Sequence, residues 1–356
     1  MQKIRFAVAG TGWRAMFYVR AAKLLPEWFE LTGVLCRTAQ KAETFAAEHG
    51  VPAFDSLEAL METKPEFVVS CVNKAGMADM VMRLLEAGIP ALSETPLGLD
   101  VITLDRLYQT QRRTGTLLQL AEQYFLWPTH QARKALISRG LLGQVHNCHL
   151  SMMHDYHAMS MMRFYLGEEN GPVEIRARQI RTPIIVTGGR GGYVTSGEEG
   201  EETRVIAQLT YADGRLGMYD FAGTQYHSAI RSNHLRILGT KGEIFDDEVR
   251  FLDEENRPVV GRLEVRRDRI SGTIRAVDFE GERLWENPFN PSAAMTEDEI
   301  AVCDVLRRMG AAVRTGELFY PHAHAYRDAY MARLLADAAN ADSLVVMYRM
   351  PWDSWE

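Results

Sequence analysis

The feature that most constrains the fold is a glycine turn close to the start of the chain. Residues 4–15 read Ile-Arg-Phe-Ala-Val-Ala-Gly-Thr-Gly-Trp-Arg-Ala, so an apolar stretch reaches a Gly-x-Gly turn and a helical pattern follows directly. Gly10 permits a tight turn, Gly12 lets the backbone approach phosphate, and the helix N-terminus supplies free N–H groups and a positive dipole. Ala15 stands at the third glycine position of this fingerprint. The turn predicts a site for a dinucleotide pyrophosphate, with simple packing glycines as the alternative.

The residues after the turn alternate between short apolar stretches and helical patterns. This alternation is typical of a parallel sheet with helical crossovers. We therefore predict an N-terminal Rossmann dinucleotide-binding domain over residues 1–121. Its further strands are predicted at 31–35, 67–72, 89–92 and 117–120, and its helices at 38–49, 75–87 and 101–113.

The pattern changes beyond the crossover at Glu122-Gln123-Tyr124. After a predicted helix at 129–139, apolar and polar residues alternate in several segments, which indicates a sheet with one exposed face. We predict a C-terminal α+β domain over 122–356 with an open, mostly antiparallel sheet, its terminal helices able to pack back on the first domain. The stretch 188–202 is glycine-rich, but no Gly-Lys-Ser/Thr follows, so a solvent loop is expected there. The alternating segments are 145–152, 173–186, 203–211, 215–221 and 233–238, and the later helical patterns cover 296–314 and 322–339.

Composition excludes several classes of function. The chain has 356 residues and a net charge of −7, which argues against a nucleic-acid surface. No apolar stretch is long enough to span a bilayer and no secretory signal is recognisable, so a cytoplasmic protein without a membrane partner is expected. The four cysteines form no Cys-x-x-Cys pair, so neither a metal site nor a disulfide framework is predicted.

Several motifs recur in a specific order along the chain. With these motifs the chain resembles the Gfo/Idh/MocA oxidoreductase family over nearly its whole length. The matching residues are Gly10-Thr11-Gly12, Glu86 to Pro90 leading into Glu94-Thr95-Pro96-Leu97, Glu122-Gln123-Tyr124 with Pro128, Gly140-x-x-Gly143, His157 followed by Arg163 and Leu166-Gly167, and Ile237-x-Gly239-Thr240-Lys241-Gly242.

The resemblance implies a Rossmann domain with an open α/β domain, and NAD(P)-dependent redox chemistry on sugars, inositols or similar polyols. It also implies a homodimer or homotetramer. The chain departs from the family pattern at several places, including Cys71-Val72-Asn73 where the family has Thr-Pro-Asn. Thr95 stands where the family often has a proton-transferring lysine, Ser160 where it usually has an aspartate, and Gly76 where a histidine is common. A threonine hydroxyl can donate and accept hydrogen bonds but cannot act as a base near neutral pH, so Thr95 is expected to position the substrate or the nicotinamide.

The end of the second strand bears on the choice of cofactor. An acidic residue there would bind a free ribose 2′-hydroxyl and repel a 2′-phosphate, but this chain has Cys36. Arg37 offers a permanently charged partner for phosphate and Thr38 a hydroxyl donor. We therefore predict NADP in preference to NAD, with a solvated surface charge as the alternative role of Arg37. The candidate cofactor-binding residues are Gly10, Thr11, Gly12, Trp13, Arg14, Arg37, Thr38, Asn73, Glu94, Thr95 and Gln123.

The densest cluster of chemically active side chains is His154-Asp155-Tyr156-His157, where an alternating strand meets a helical pattern. His157 aligns with the family histidine and is the first candidate for general acid or base. Asp155 is expected to orient a histidine or bind a substrate hydroxyl, with a helix N-cap as its alternative. Tyr156 would donate a proton if a neighbouring charge lowered its pKa. Lys74 either replaces the missing lysine or is a solvated loop charge.

A second polar cluster, Gln225-Tyr226-His227-Ser228, suits a polyhydroxylated ligand or a solvated hairpin. The leading hypothesis is an NAD(P)-dependent oxidoreductase acting on a secondary alcohol or carbonyl of a sugar-like molecule. One alternative is an enzyme with tightly bound NAD(H) that uses transient oxidation for glycoside cleavage or elimination. The other is a nucleotide-binding protein without catalysis.

Overall fold

The first sheet consists of six parallel strands. The computed structural model describes residues 2–168, 171–189 and 191–354. In the order β3-β2-β1-β4-β5-β6, the strand order reverses between β1 and β4, which is the switch point where open α/β sheets bind ligands. The strands are β1 Ile4–Ala9, β2 Phe29–Leu35, β3 Ala53–Phe54, β4 Phe67–Ser70, β5 Ala91–Ser93 and β6 Leu118–Leu120. The helices between them are α1 Ala15–Leu24, α2 Ala39–His49, α3 Leu57–Glu62, α4 Lys74–Glu86 and α5 Val101–Thr114.

Side-chain caps fix where these helices begin. Thr38, Ser56, Asn73 and Asp100 each accept a hydrogen bond from a backbone N–H in the first turn of the following helix. Such caps satisfy amides that have no partner inside the helix. The strand ends therefore pass directly into helix N-termini at one edge of the sheet.

The second sheet has nine strands, and all neighbours are antiparallel except β7 and β12. It confirms the predicted open, mostly antiparallel sheet. The order is β16-β15-β14-β13-β7-β12-β11-β8-β20. After α6 Pro128–Ser138, the elements are β7 Val145–Ser151, α7 Asp155–Leu166, β8 Val173–Ile185, β9 Gly188–Gly189, β10 Gly192–Tyr193, β11 Glu199–Tyr211, β12 Leu216–Ala222, β13 His234–Gly239, β14 Gly242–Phe245, β15 Glu248–Leu252, β16 Pro258–Arg262, β17 Glu264–Arg267, β18 Ile274–Phe279, β19 Glu282–Glu286, α8 Glu297–Thr315, α9 His322–Ala341 and β20 Leu344–Met347.

The expectation of a solvent loop over residues 188–202 is wrong in part. β9 and β10 form a short hairpin, and β11 begins at Glu199 by pairing with Ile185 of β8. The glycines in this stretch hid the strand, because glycine weakens the alternating pattern by which strands are recognised.

The terminal helices tie the two sheets together. α8 packs on α1 and β1, and α9 packs on α7, β8 and α5. Gly310 of α8 lies against the side chain of Ile4 in β1. This contact brings the N-terminus of α8 close to the glycine turn, where it meets the site described next.

Candidate active site

A cavity of about 980 Å³ opens at the switch point of the first sheet. Its walls come from the glycine turn, the end of β2, the start of α4 and the end of β5, so chain segments far apart in sequence meet there. Thr38 and Gln123 are not part of its wall. The predicted cofactor residues that line it are Gly10, Thr11, Gly12, Trp13, Arg14, Arg37, Asn73, Glu94 and Thr95.

The two glycines of the turn meet different constraints. Gly10 has a φ of +119°, and a methyl group on its α-carbon would overlap the carbonyl oxygen of Cys71. The space beside the α-carbon of Gly12 is open, with no atom within 4 Å. Gly10 is therefore required by the fold, whereas Gly12 leaves a gap that a phosphate group would fill.

Arg14 is held by two carboxylates. Its Nε donates to Glu94 Oε1 at 2.9 Å and its Nη1 to Asp298 Oδ2 at 2.6 Å. The hydroxyl of Tyr18 donates to the same Glu94 oxygen at 2.5 Å. Arg14 and Glu94 thus contribute to the cavity wall as members of a charge network that includes the first turn of α8.

At the end of β2, the cavity wall carries positively charged side chains. Arg37 and Lys41 line it beside the thiol of Cys36. Burial raises the pKa of that thiol, so the position carries no negative charge at neutral pH. Thr38 Oγ1 accepts from the backbone N–H of Lys41 at 3.3 Å, which makes this residue the cap of α2.

Gln123 has one satisfied and one unsatisfied amide atom. Its Nε2 donates to Asp298 Oδ1 at 3.0 Å. Its Oε1 is buried and has no hydrogen-bond partner within residues 2–168, 171–189 and 191–354. A buried acceptor without a partner is costly unless a ligand satisfies it. Gln123 lies outside the wall of the large cavity, so this acceptor faces the protein interior.

His157 forms a buried pair with a carboxylate that the sequence interpretation missed. Its Nδ1 lies 2.6 Å from Glu122 Oε2, and Glu122 Oε1 accepts from the backbone N–H of Tyr124 at 3.0 Å. A proton on Nδ1 facing the carboxylate leaves Nε2 as the basic nitrogen. The signal in the sequence was a single acidic residue directly after an apolar strand.

The orienting carboxylate is therefore Glu122 and not Asp155. Residues two positions apart on a helix face different directions, so Asp155 is poorly placed to align His157. Asp155 also is the first residue of α7 and not its N-cap, a position that His154 occupies. Burial raises the pKa of the Asp155 carboxyl, against the opposing charges of Lys74 and His157.

Tyrosine rings surround the imidazole. The ring centroids of Tyr124 and Tyr156 lie 4.5 and 4.4 Å from that of His157. The hydroxyl of Tyr226 accepts from the backbone N–H of His154 at 2.9 Å, so the second polar cluster reaches the first. Burial, with Tyr226 and Asp155 nearby, raises the pKa of Tyr156, which is opposite to the lowered pKa that its proposed proton-donating role requires.

Most of the second polar cluster supports the backbone. Gln225 is buried, and its Nε2 donates to the carbonyls of Ser151 and Ser232 at 3.1 and 3.0 Å. It therefore holds the turn that carries Tyr226, and its side chain is occupied. A separate, smaller cavity has a volume of about 190 Å³. That cavity is lined by His154, Asp155, Gln179, Thr203, Val205, Tyr219, Phe221, Gly223, Leu335, Ala336, Ala339 and Asn340.

The cavity geometry and the sequence of its wall agree with a known family. The sequence model of the GFO_IDH_MocA oxidoreductase family, with its NAD-binding Rossmann fold, matches residues 4–122. The N-terminal part of this chain is thus similar to the Gfo/Idh/MocA family. The resemblance seen in the sequence is thereby confirmed over this part, and the Gly10 turn lies within the matched residues.

Two curated proteins that match a large part of this chain are dehydrogenases. A trans-1,2-dihydrobenzene-1,2-diol dehydrogenase of Oryctolagus cuniculus is 25% identical over 248 residues, which cover 66% of this chain and 73% of the relative. A scyllo-inositol 2-dehydrogenase (NADP(+)) of Bacillus subtilis, IolU, is 24% identical over 280 residues, covering 73% and 81% respectively. The chain therefore spans most of the length of these two enzymes.

Solved structures share the whole fold. Levoglucosan dehydrogenase in complex with NADH and levoglucosan has a TM-score of 0.71 at 16% identity. The match covers 98% of this chain and 100% of the dehydrogenase. An oxidoreductase from Agrobacterium radiobacter in complex with NAD+, L-tartaric acid and magnesium has a TM-score of 0.69 at 14% identity, covering 97% and 98%. At these identities the likeness establishes the fold alone.

The described residues also bear on metal binding and on membrane crossing. Within the described part of the chain, no group of three or more His, Cys, Asp and Glu side chains could hold a metal ion. None of the described helices is both long and apolar enough to cross a membrane.

The two glycines give a matched pair of variants. Gly10→Ala should lower the free energy of unfolding by about 1–3 kcal/mol, because alanine resists this φ and its methyl group overlaps Cys71. Gly12→Ala should leave the thermal midpoint unchanged but raise the Kd for nicotinamide dinucleotide about tenfold or more, the equivalent of ~1.4 kcal/mol. Thermal unfolding and titration calorimetry measure the two effects. Unchanged nucleotide affinity in Gly12→Ala would contradict the assignment of the corner.

Proposed function

We propose that this chain is an NAD(P)-dependent dehydrogenase that interconverts a secondary alcohol and a carbonyl on a small cyclic polyol or diol. The observation that carries the proposal is the buried Glu122–His157 pair beside the nucleotide cavity, with Nδ1 and Oε2 at 2.6 Å. A histidine oriented by a carboxylate is suited to take a proton from a hydroxyl group. The family supports the redox class, and the substrate class rests on the site.

The residues of the cavity fit a nicotinamide dinucleotide. The open space at Gly12 suits the pyrophosphate. When bound, the nicotinamide would supply the hydride acceptor or donor. Asn73 caps α4 through Gly76, so this helix N-terminus adds N–H groups at the same cavity.

The chain's own residues then move one proton. His157 Nε2 accepts the proton of the substrate hydroxyl as the carbon is oxidised, and returns it in the reverse direction. Glu122 is 1% exposed, so its carboxylate stabilises the imidazolium without competition from water. Thr95 contributes a neutral hydroxyl to the same end of the cavity and positions the reactants.

The surroundings of His157 favour a ring-shaped substrate with hydroxyl groups. Tyr124 and Tyr156 present aromatic surface, while Asp155 and His154 offer polar contacts. Aromatic surface with a few polar groups is typical of small-molecule sites. The relatives named above are enzymes of a cyclic diol, an inositol and an anhydro-sugar, which is consistent with such a ligand.

The function is tested by nucleotide titration and by turnover with a panel of cyclic diols, inositols and anhydro-sugars. We expect the protein to bind NADP+ or NAD+ and to form reduced nicotinamide. The absorbance of the reduced nicotinamide measures turnover. His157→Asn and Glu122→Gln should lower kcat by about 10²–10⁴-fold, because general base catalysis is lost. Their nucleotide affinity should stay unchanged.

His146→Asn is the matched control, since His146 is exposed on β7. It should keep full activity. Absence of affinity for both nucleotides in the parent protein would overturn the dehydrogenase assignment. Cleavage of a glycoside without net formation of reduced nicotinamide would favour the enzyme with permanently bound NAD(H) instead.

Preference for NADP is the finer part of the proposal. Arg37 lines the cavity beside a neutral Cys36, so a 2′-phosphate at the end of β2 would meet a cation and no carboxylate at the Cys36 position, while Asp55 and Glu58 line the cavity further along the chain. Arg37→Ala should weaken NADP+ binding by about 10–100-fold, the equivalent of a charge-assisted hydrogen bond of ~1.5–3 kcal/mol. NAD+ binding to the same variant is the internal control and should barely change. Equal losses for both nucleotides would show that Arg37 does not read the 2′-phosphate.

A further inference from the structure

One charged residue of the cavity wall, Lys74, lies close to the histidine cluster. Lys74 is the first residue of α4 and lines the nucleotide cavity. Its Nζ lies 5.1 Å from the centroid of the Tyr156 ring, which is itself in contact with His157. The ammonium group therefore lies where the nucleotide cavity meets the proton-transferring pair.

The other described cations of the cavity have different surroundings. Arg14 is held by Glu94 and Asp298, as described above. Arg83 pairs with Glu58 at 3.3 Å. The remaining two, Arg37 and Lys41, lie at the end of β2 and in α2. Within the described part of the chain, Lys74 is thus the cavity cation that contacts a ring beside His157, that of Tyr156.

We propose that Lys74 is a catalytic residue that binds the substrate oxygen and stabilises the negative charge that develops on it. This inference rests on the proposed dehydrogenase function. The C–H electron pair leaves the carbinol carbon as hydride to the oxidised nicotinamide, the O–H proton goes to His157 Nε2, and the carbon–oxygen double bond forms. The ammonium of Lys74 keeps its three protons throughout. It supplies electrostatic stabilisation where Thr95 is neutral.

The environment of the ammonium supports this role. The Tyr156 ring holds the cation through its negative face without neutralising it. The Asp155 carboxyl feels the same charge, since Lys74 acts to lower its pKa against the effect of burial. A cation that an aromatic ring holds beside the site requires little rearrangement to stabilise a developing oxyanion.

The test compares three variants in the full-length protein. Lys74→Met should lower kcat by about 10²–10³-fold, the loss seen when one group that stabilises an oxyanion is removed. Its Kd for NADP+ and NAD+ should remain within about twofold, a change of only ~0.4 kcal/mol. The double variant Lys74→Met/Thr95→Lys returns a positive charge to the wall of the same cavity and should recover part of kcat.

Lys134→Met is the matched control. Lys134 places its ammonium 5.2 Å from the centroid of the Phe164 ring and lies outside the cavity. Loss of an equivalent cation–aromatic contact there should leave kcat unchanged. A comparable loss of kcat in Lys134→Met would mean that general destabilisation explains the effect.

A second measurement does not depend on turnover. The pKa of the Asp155 carboxyl, followed by carbon NMR in the nucleotide-free protein, should rise in Lys74→Met and stay unchanged in Lys134→Met. Unchanged kcat in Lys74→Met would overturn the inference while leaving the dehydrogenase assignment intact. Unchanged kcat with a weakened nucleotide Kd would identify Lys74 as a cofactor ligand instead. A parent protein that binds no nucleotide would remove the proposed function, and the inference with it, whatever the NMR shows.

Discussion

The ion pair between Arg14 and Asp298 is the contact on which the arrangement of the site depends. It joins Arg14, the N-cap of α1, to the first turn of α8 across 284 positions of sequence, at 2.6 Å. Both side chains are largely shielded from water, and removal of Asp298 would leave the Arg14 guanidinium with Glu94 as its remaining anionic partner. The glycine turn and the C-terminal helices therefore keep a fixed relation to each other.

Asp298 extends that relation to the end of the first sheet. Its Oδ1 accepts from Gln123 Nε2 and from Trp127 Nε1, at 3.0 and 3.3 Å. These hydrogen bonds fix the direction of the chain after β6. Glu122, which directly precedes Gln123, is therefore held facing His157 of α7. One carboxylate of α8 consequently contacts both Arg14 beside the glycine turn and the segment that follows β6.

The parts of this site that the sequence predicts are those set by local rules. The Gly10 turn, the strand before it and the helix after it follow from neighbouring residues, and so does the position of His157 at a strand–helix junction. Glu122 and Asp298 were missed because their partners are 35 and 284 positions away. Neither periodicity nor capping carries information over such separations. β11 escaped full recognition for a related reason, since its first residues pair with β8 despite the glycines around them.

Burial separates the charged groups of the site into two kinds. Glu122 and His157 are almost inaccessible, so their interaction is strong and their geometry fixed. Lys74 is exposed on the first turn of α4 and is held only by an aromatic face. A base needs one fixed orientation, whereas a cation that meets incoming substrates must be reachable from the cavity. The exposed position of Lys74 is therefore compatible with a charge that acts on the substrate, and the buried position of Glu122 with one that acts only through His157.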